Sequence, residues 1–202
     1  MNYSYRVEQA IRAAGMLHRD QVRRGTVPYP YVTHLVSVAW LTASYTDDED
    51  VLITALLHDS IEDTAYTLEE LEEDFGAHVR ALVAAVSHPA VEDLPSRERW
   101  RVRRERYAEQ LREAPEGALI VAAADKIHNM RAAIEEYFGA PLRFLADFGG
   151  TLDERVLAYQ SVGNILNSRL ENGIVHEFNH VFEEYRAFVH ETQKAADRQR
   201  TV

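Results

Sequence analysis

The stretch Glu116–Tyr137, EGALIVAAADKIHNMRAAIEEY, decides how this chain folds. From Ala118 to Ala124 it is apolar without a break, and then meets Asp125. A helix that is apolar all round has no face for water and belongs in the middle of a bundle. Pro115 and Pro141 mark its approximate limits, since proline suits a helix start and disfavours helix in the residue before it. Outward from this centre the periodicity stays helical. Val7, Ala10, Ile11, Ala14 and Leu17 keep the spacing of one buried helix face. Near the other end Phe178, Val181, Phe182, Tyr185, Phe188 and Val189 repeat it, as core or as the seam of a homodimer. Thr67 with Glu70 forms a capping box that opens an acidic helix, and Gly76 separates it from the next apolar run. No short window alternates between apolar and polar residues. The expectation is an all-α bundle of about eight to ten helices with essentially no sheet.

The chain has 202 residues, 46% hydrophobic and 27% charged. That suits one medium domain, read as residues 1–202 with a C-terminal helix over 175–199. Cysteine is absent, which excludes disulfides, thiolate metal sites and a cysteine nucleophile, and fits a reducing compartment. Lys and Arg number 22 against 33 Asp and Glu, a net charge of −11. Such a surface argues against broad binding to nucleic acid or anionic membranes, but a local basic pocket can still take a phosphorylated small molecule. Met1–Gln9 lacks the apolar centre of a signal peptide. The apolar run Val51–Leu57 is too short to span a bilayer. A soluble, cytoplasmic protein is expected.

His58-Asp59 closes that apolar run, and taken alone the pair means little. With nine histidines, about half of one such dipeptide arises by chance. Its position is more telling, because a carboxylate directly after a buried helix is costly unless paired or bound to metal. Asp125 poses the same problem, and His34 opens the apolar helix Leu35–Thr42. Two imidazoles and two carboxylates suit Mn²⁺, Fe²⁺ or Zn²⁺ and leave room for water and substrate. The same residues are also explained if His34 caps a helix, Asp59 starts a turn and Asp125 pairs with an arginine. Glu62 and Asp63, three and four residues past Asp59, could position or deprotonate a water, or form a plain acidic turn. Arg23 and Arg24, with Tyr29 and Tyr31 on the constrained loop Gly25–Thr33, suit a nucleotide, through phosphate pairing and ring stacking. Seven arginines crowd Arg97–Arg112. Most read as a solvated face, with Arg103, Arg104 and Arg106 as candidates to point into a site.

Taken together, three blocks resemble the His-Asp (HD) phosphohydrolase superfamily. They are His34 at a helix start, Leu56-Leu57-His58-Asp59-Ser60-Ile61-Glu62-Asp63-Thr64, and Ala124-Asp125-Lys126-Ile127-His128-Asn129-Met130. Within it the chain is similar, over roughly Tyr5 to Leu170, to the hydrolase domain of the Rel/Spo alarmone enzymes and to stand-alone small alarmone hydrolases. Gln21–Thr26 running into Pro30–His34 resembles the family's base-binding loop, and Thr67–Gly76 also matches. The resemblance implies an all-helical fold and one divalent metal, usually Mn²⁺. It implies hydrolysis of guanosine 3′-diphosphate 5′-di- or triphosphate to pyrophosphate and GDP or GTP. Carried over residue by residue, His34, His58, Asp59 and Asp125 would bind the metal, and Glu62 and Asp63 would activate or orient the water. Asn129 would touch the substrate near ribose or phosphate, Arg23 and Arg24 would flank the guanine, and Tyr159 would line the pocket. No synthetase segment matches, so hydrolysis without synthesis is expected. Three features depart from the pattern: Leu35 in place of a proline, an additional Pro-Tyr pair in the loop before His34, and Ser87-His88-Pro89 in place of a polar Thr-containing segment. They spare the metal ligands and alter the base-reading surface. An HD phosphohydrolase for NADPH or a nucleoside monophosphate therefore stays open, as does a non-catalytic nucleotide-binding or antitoxin-like module, partner to a toxin-like synthetase.

Overall fold

The computed structural model of the protein describes residues 3–200 apart from 24, 26, 92–94 and 149–151. Eleven helices and one short ribbon make up the described residues. In chain order they are α1 (Tyr5–Leu17), β1 (Val22–Arg23), β2 (Tyr29–Pro30), α2 (Val32–Thr42), α3 (Glu49–Leu57), α4 (Ser60–Asp63), α5 (Leu68–Phe75) and α6 (Ala77–Val86). Then follow α7 (Ser96–Glu113), α8 (Glu116–Tyr137), α9 (Pro141–Phe148), α10 (Leu152–Arg169) and α11 (Ile174–Arg200). No described helix is long and apolar enough to cross a membrane.

The central helix is the one its composition demands. α8 starts directly after Pro115, and every residue from Ala118 to Ile127 is buried. Helices α2, α3, α6, α10 and α11 pack around it. Helix α3 is also sunk in the core, with Val51 to Leu57 all buried, and Asp48 caps it by accepting from the backbone N–H of Asp50. Thr67 and Glu70 form the expected capping box at α5. Gly76, with φ of +93°, turns the chain between α5 and α6 where a side chain would be strained. The aromatic stripe of α11 is spent inside the chain. Phe178, Val181, Phe182, Tyr185 and Val189 are buried in a helix that packs against α8, α9 and α10, and Phe188 is partly buried against the same core.

Two local expectations change. The loop before His34 contains an antiparallel ribbon in which Val22 faces Pro30 and Arg23 faces Tyr29. Strands of two residues are too short to show alternation, and Pro30 has no N–H with which to extend the ladder. His34 lies in the first turn of α2, which begins at Val32. The helix count exceeds the expected range partly because α4, at four residues, is shorter than a periodic signal.

Candidate metal centre and substrate cleft

Four side chains far apart in sequence meet between α2, α3 and α8. His34 comes from the first turn of α2, His58 follows the last residue of α3, Asp59 precedes α4, and Asp125 sits midway along α8. His34 Nε2 lies 3.7 Å from Asp59 Oδ2 and 3.3 Å from Asp125 Oδ1. For His58 Nε2 the corresponding distances are 3.2 and 3.6 Å. Donor atoms that share one divalent ion at about 2.0–2.2 Å stand this far apart. The ligand atoms of His34, His58 and Asp59 all lie within 4.8 Å of one another.

The protonation pattern shows that this cluster asks for a cation. His58 Nδ1 is 2.8 Å from the carbonyl of Ala55. A carbonyl only accepts, so Nδ1 carries the proton and a neutral His58 leaves a lone pair on Nε2. That nitrogen is buried without a hydrogen-bond partner among the described residues, and faces two carboxylates. A lone pair so placed is repelled unless a cation lies between. Burial opposes charge on His58, yet Asp59 and Asp125 raise it well above its ordinary value, so without metal a proton takes the cation's place. Burial likewise resists ionising Asp125, but Lys126 and the two imidazoles hold it well below the usual carboxylate range. Residues and arrangement thus fit a divalent ion.

Outer contacts orient each ligand. His34 Nδ1 is 2.9 Å from His128 Nδ1, which leaves Nε2 turned to the centre. Tyr31 donates to Asp59 Oδ2 at 2.5 Å. Lys126 Nζ holds Asp125 Oδ2 at 2.5 Å, and Asn129 donates to Asp125 Oδ1 at 2.5 Å. Arg23, 2.7 Å from Asn129 Oδ1 and 5.6 Å from the Tyr31 ring centre, closes the bracket between the two carboxylates.

Beside the centre opens a cleft of about 430 Å³. It is lined by Arg23, Tyr31, His34, Asp59, Asp125 and Asn129 on one side, and by Glu62, His88, Arg103, Arg104 and Lys126 on another. An aromatic lobe of Tyr137, Phe144, Phe148, Tyr159 and Tyr185, with Arg155, extends it. Glu62 is fully partnered. Its Oε1 accepts from the His88 backbone N–H at 2.6 Å and lies 3.1 Å from His88 Nδ1, while Arg103 holds Oε2. Burial works against its charge, but His88 keeps it below the usual range. Asp63 differs. Partial burial, then the charges of Asp59 and Glu62, push it up, and the residue stands at the surface beside the cleft, outside its lining.

Of the residues singled out from sequence, His34, His58, Asp59 and Asp125 converge, and Glu62, Arg23, Asn129 and Tyr159 line the same cleft. Asp63 stands beside it, and Arg24 lies outside the described residues. Asp125 pairs with Lys126 rather than with an arginine. Arg103 and Arg104 both reach the cleft. Tyr31, read from the sequence as a ring for a nucleotide, donates to Asp59, and three participants were assigned no role from the sequence: His88, Lys126 and His128. For Lys126 a cue was present, since a lysine inside a buried apolar run needs a carboxylate, and Asp125 is adjacent.

The profile of the family described as HD domain matches residues 7–138. Human guanosine-3′,5′-bis(diphosphate) 3′-pyrophosphohydrolase MESH1 is 38% identical over 125 residues, 61% of this chain and 66% of that protein. A probable GTP pyrophosphokinase of Mycobacterium leprae is 38% identical over 62% of this chain but only 15% of its own length. The chain therefore aligns with less than two thirds of either relative. Among solved structures, a metazoan ortholog of SpoT, described as hydrolysing ppGpp, superposes with a TM-score of 0.72 at 26% identity, covering 91% of this chain and 97% of that one. A Listeria monocytogenes structure shares the fold, with a TM-score of 0.65 at 22% identity over 79% of this chain and 99% of that one.

Proposed function

The chain belongs to the HD domain family, and from that premise we propose that it hydrolyses guanosine 3′,5′-bis-pyrophosphates at the 3′ position, releasing pyrophosphate and GDP or GTP. The observation that carries this is the convergence of His34, His58, Asp59 and Asp125 on one point beside an arginine-lined cleft. These four residues would hold a divalent ion: Mn²⁺, the metal that the family resemblance implies, suits mixed imidazole and carboxylate ligands, as do Fe²⁺ and Zn²⁺. When bound, the ion supplies Lewis acidity to a phosphoryl oxygen and lowers the pKa of water. The chain's own residues do the rest. Arg23 faces the base and Asn129 meets the ribose or its phosphate. Arg104 and Lys126 offset part of the phosphates' negative charge inside an otherwise acidic molecule. Glu62, held as an anion by His88 and Arg103, orients a water for in-line attack on the 3′-phosphorus. Asp63, raised by burial and then by Asp59 and Glu62, would take the proton from that water through an intervening one. As water adds, the P–O3′ bond breaks and the ribose oxygen takes up a proton.

We read the chain as one hydrolase domain. Its cysteine-free composition supports a cytoplasmic setting. The deciding experiment incubates Mn²⁺-loaded protein with ppGpp, NADPH and a nucleoside monophosphate. Pyrophosphate and GDP from ppGpp alone are expected. Orthophosphate from NADPH or from the monophosphate would replace the substrate assignment, and no turnover of any nucleotide would leave a binding module.

A further inference from the structure

We propose that His88 is a positioning residue for this hydrolysis, a neutral imidazole that fixes the Glu62 carboxylate on one side and the Arg104 guanidinium on the other. The assignment rests on the reading of Glu62 as the group that orients water. It is carried by geometry. His88 sits in the turn after α6. Gln110 of α7 pins that turn, with its amide nitrogen 3.1, 2.9 and 2.9 Å from the carbonyls of Ala84, Ala85 and Ser87. The ring stacks on buried Tyr107 at 3.9 Å, 19° from parallel.

Both ring nitrogens are used. Arg104 Nη1 lies 3.1 Å from Nε2, and a guanidinium can only donate, so Nε2 is the acceptor. The proton is then on Nδ1, from which it reaches Glu62 Oε1 at 3.1 Å, alongside the His88 backbone N–H at 2.6 Å. Burial pushes His88 down to about 4 against the pull of Glu62, with Lys126 and Arg104 acting in the same direction as burial. The imidazole is a spacer. Glu62 and Arg104 carry opposite charge and line one cleft. With the ring removed they are free to collapse into an ion pair, drawing the carboxylate off the water and the guanidinium off the substrate.

Two variants and one spectrum test this. His88→Phe keeps the stack on Tyr107 and removes both nitrogens. His88→Asn restores a donor near Nδ1. With ppGpp and Mn²⁺, His88→Phe is expected to lose about 10–100-fold in kcat, with metal content and Tm near wild type and KM changed far less. His88→Asn should recover most of that loss. Unchanged kcat in His88→Phe, or an equal loss in both variants, overturns the assignment. Independently of any nucleotide, long-range ¹H–¹⁵N correlation should find His88 as the Nδ1–H tautomer at neutral pH, and an Nε2–H tautomer also overturns it. Failure of the wild-type protein on ppGpp would instead strike the substrate reading, because the tautomer is measured without substrate.

Discussion

His58 spends its Nδ1 proton on the carbonyl of Ala55, so its other nitrogen is free for a cation, whereas Glu62 spends both oxygens on donors of the protein. On the proposed reading this contrast separates a residue that would hold an ion from one that would orient water, and it predicts different failures. His58→Ala should lose bound Mn²⁺ in elemental analysis and activity with it. Glu62→Gln should retain both metal and nucleotide while kcat falls by about 10²–10⁴ in single-turnover hydrolysis. If Glu62→Gln loses the metal, Glu62 is a ligand. If it keeps full activity, water is oriented elsewhere. Asp125→Asn is the poorer probe of metal binding. It would strip buried Lys126 of its carboxylate, and a buried charge left without its partner costs about 3–5 kcal/mol of stability on its own. None of these distinctions is written in the residue types, because histidine and glutamate can each be ligand, base or structural donor until their partners are fixed.

Helices α10 and α11 meet through Gly163, where an added Cβ would stand 2.8 Å from Cε1 of Phe178. Phe178 is wholly buried and has no open space into which to swing. Gly163→Ala should therefore lose about 1–3 kcal/mol to overpacking and regain up to about 1 kcal/mol of helix propensity. The expected net effect is a Tm lower by roughly 2–8 °C in thermal unfolding of the metal-free protein. A rise in Tm would show that the seam has slack. At this scale α8 was the most legible element, since Pro115 and an uninterrupted apolar run mark a buried helix in any context. The β1–β2 ribbon was not legible. Its shape is imposed from outside, by Tyr29 donating to Glu136 and by Arg143 holding the carbonyl of Gly25 at 2.7 Å.

The molecule as a whole carries groups whose charge folding forbids, and its stability must follow pH accordingly. Burial pushes His88 down to about 4 from an ordinary value of 6.5, so between these values the unfolded chain binds the extra proton. The associated stability is fully present above pH 6.5 and is lost as pH falls toward 4, by at most about 2–3 kcal/mol. Chemical denaturation of the metal-free protein across pH 4–6.5 should show this decline, with a shallower slope in His88→Phe. Equal slopes would mean that His88 is protonated in the fold. His58 acts in the opposite sense: its raised value gives stability that is lost as pH rises through it, so only the difference between variant and wild type isolates His88. The sequence by itself determined the helical class and the buried centre, because periodicity and unbroken apolar runs are local properties of the chain, and it supplied the candidate ligands. The blocks around His34, His58 and Asp125 could likewise be recognised without coordinates. Tertiary structure alone decided that Tyr31 and Arg23 bracket the two carboxylates, and that His88 stands between Glu62 and Arg104. Those pairings join elements up to about a hundred residues apart, and the function of a polar side chain is set by the partner that packing brings within hydrogen-bond reach.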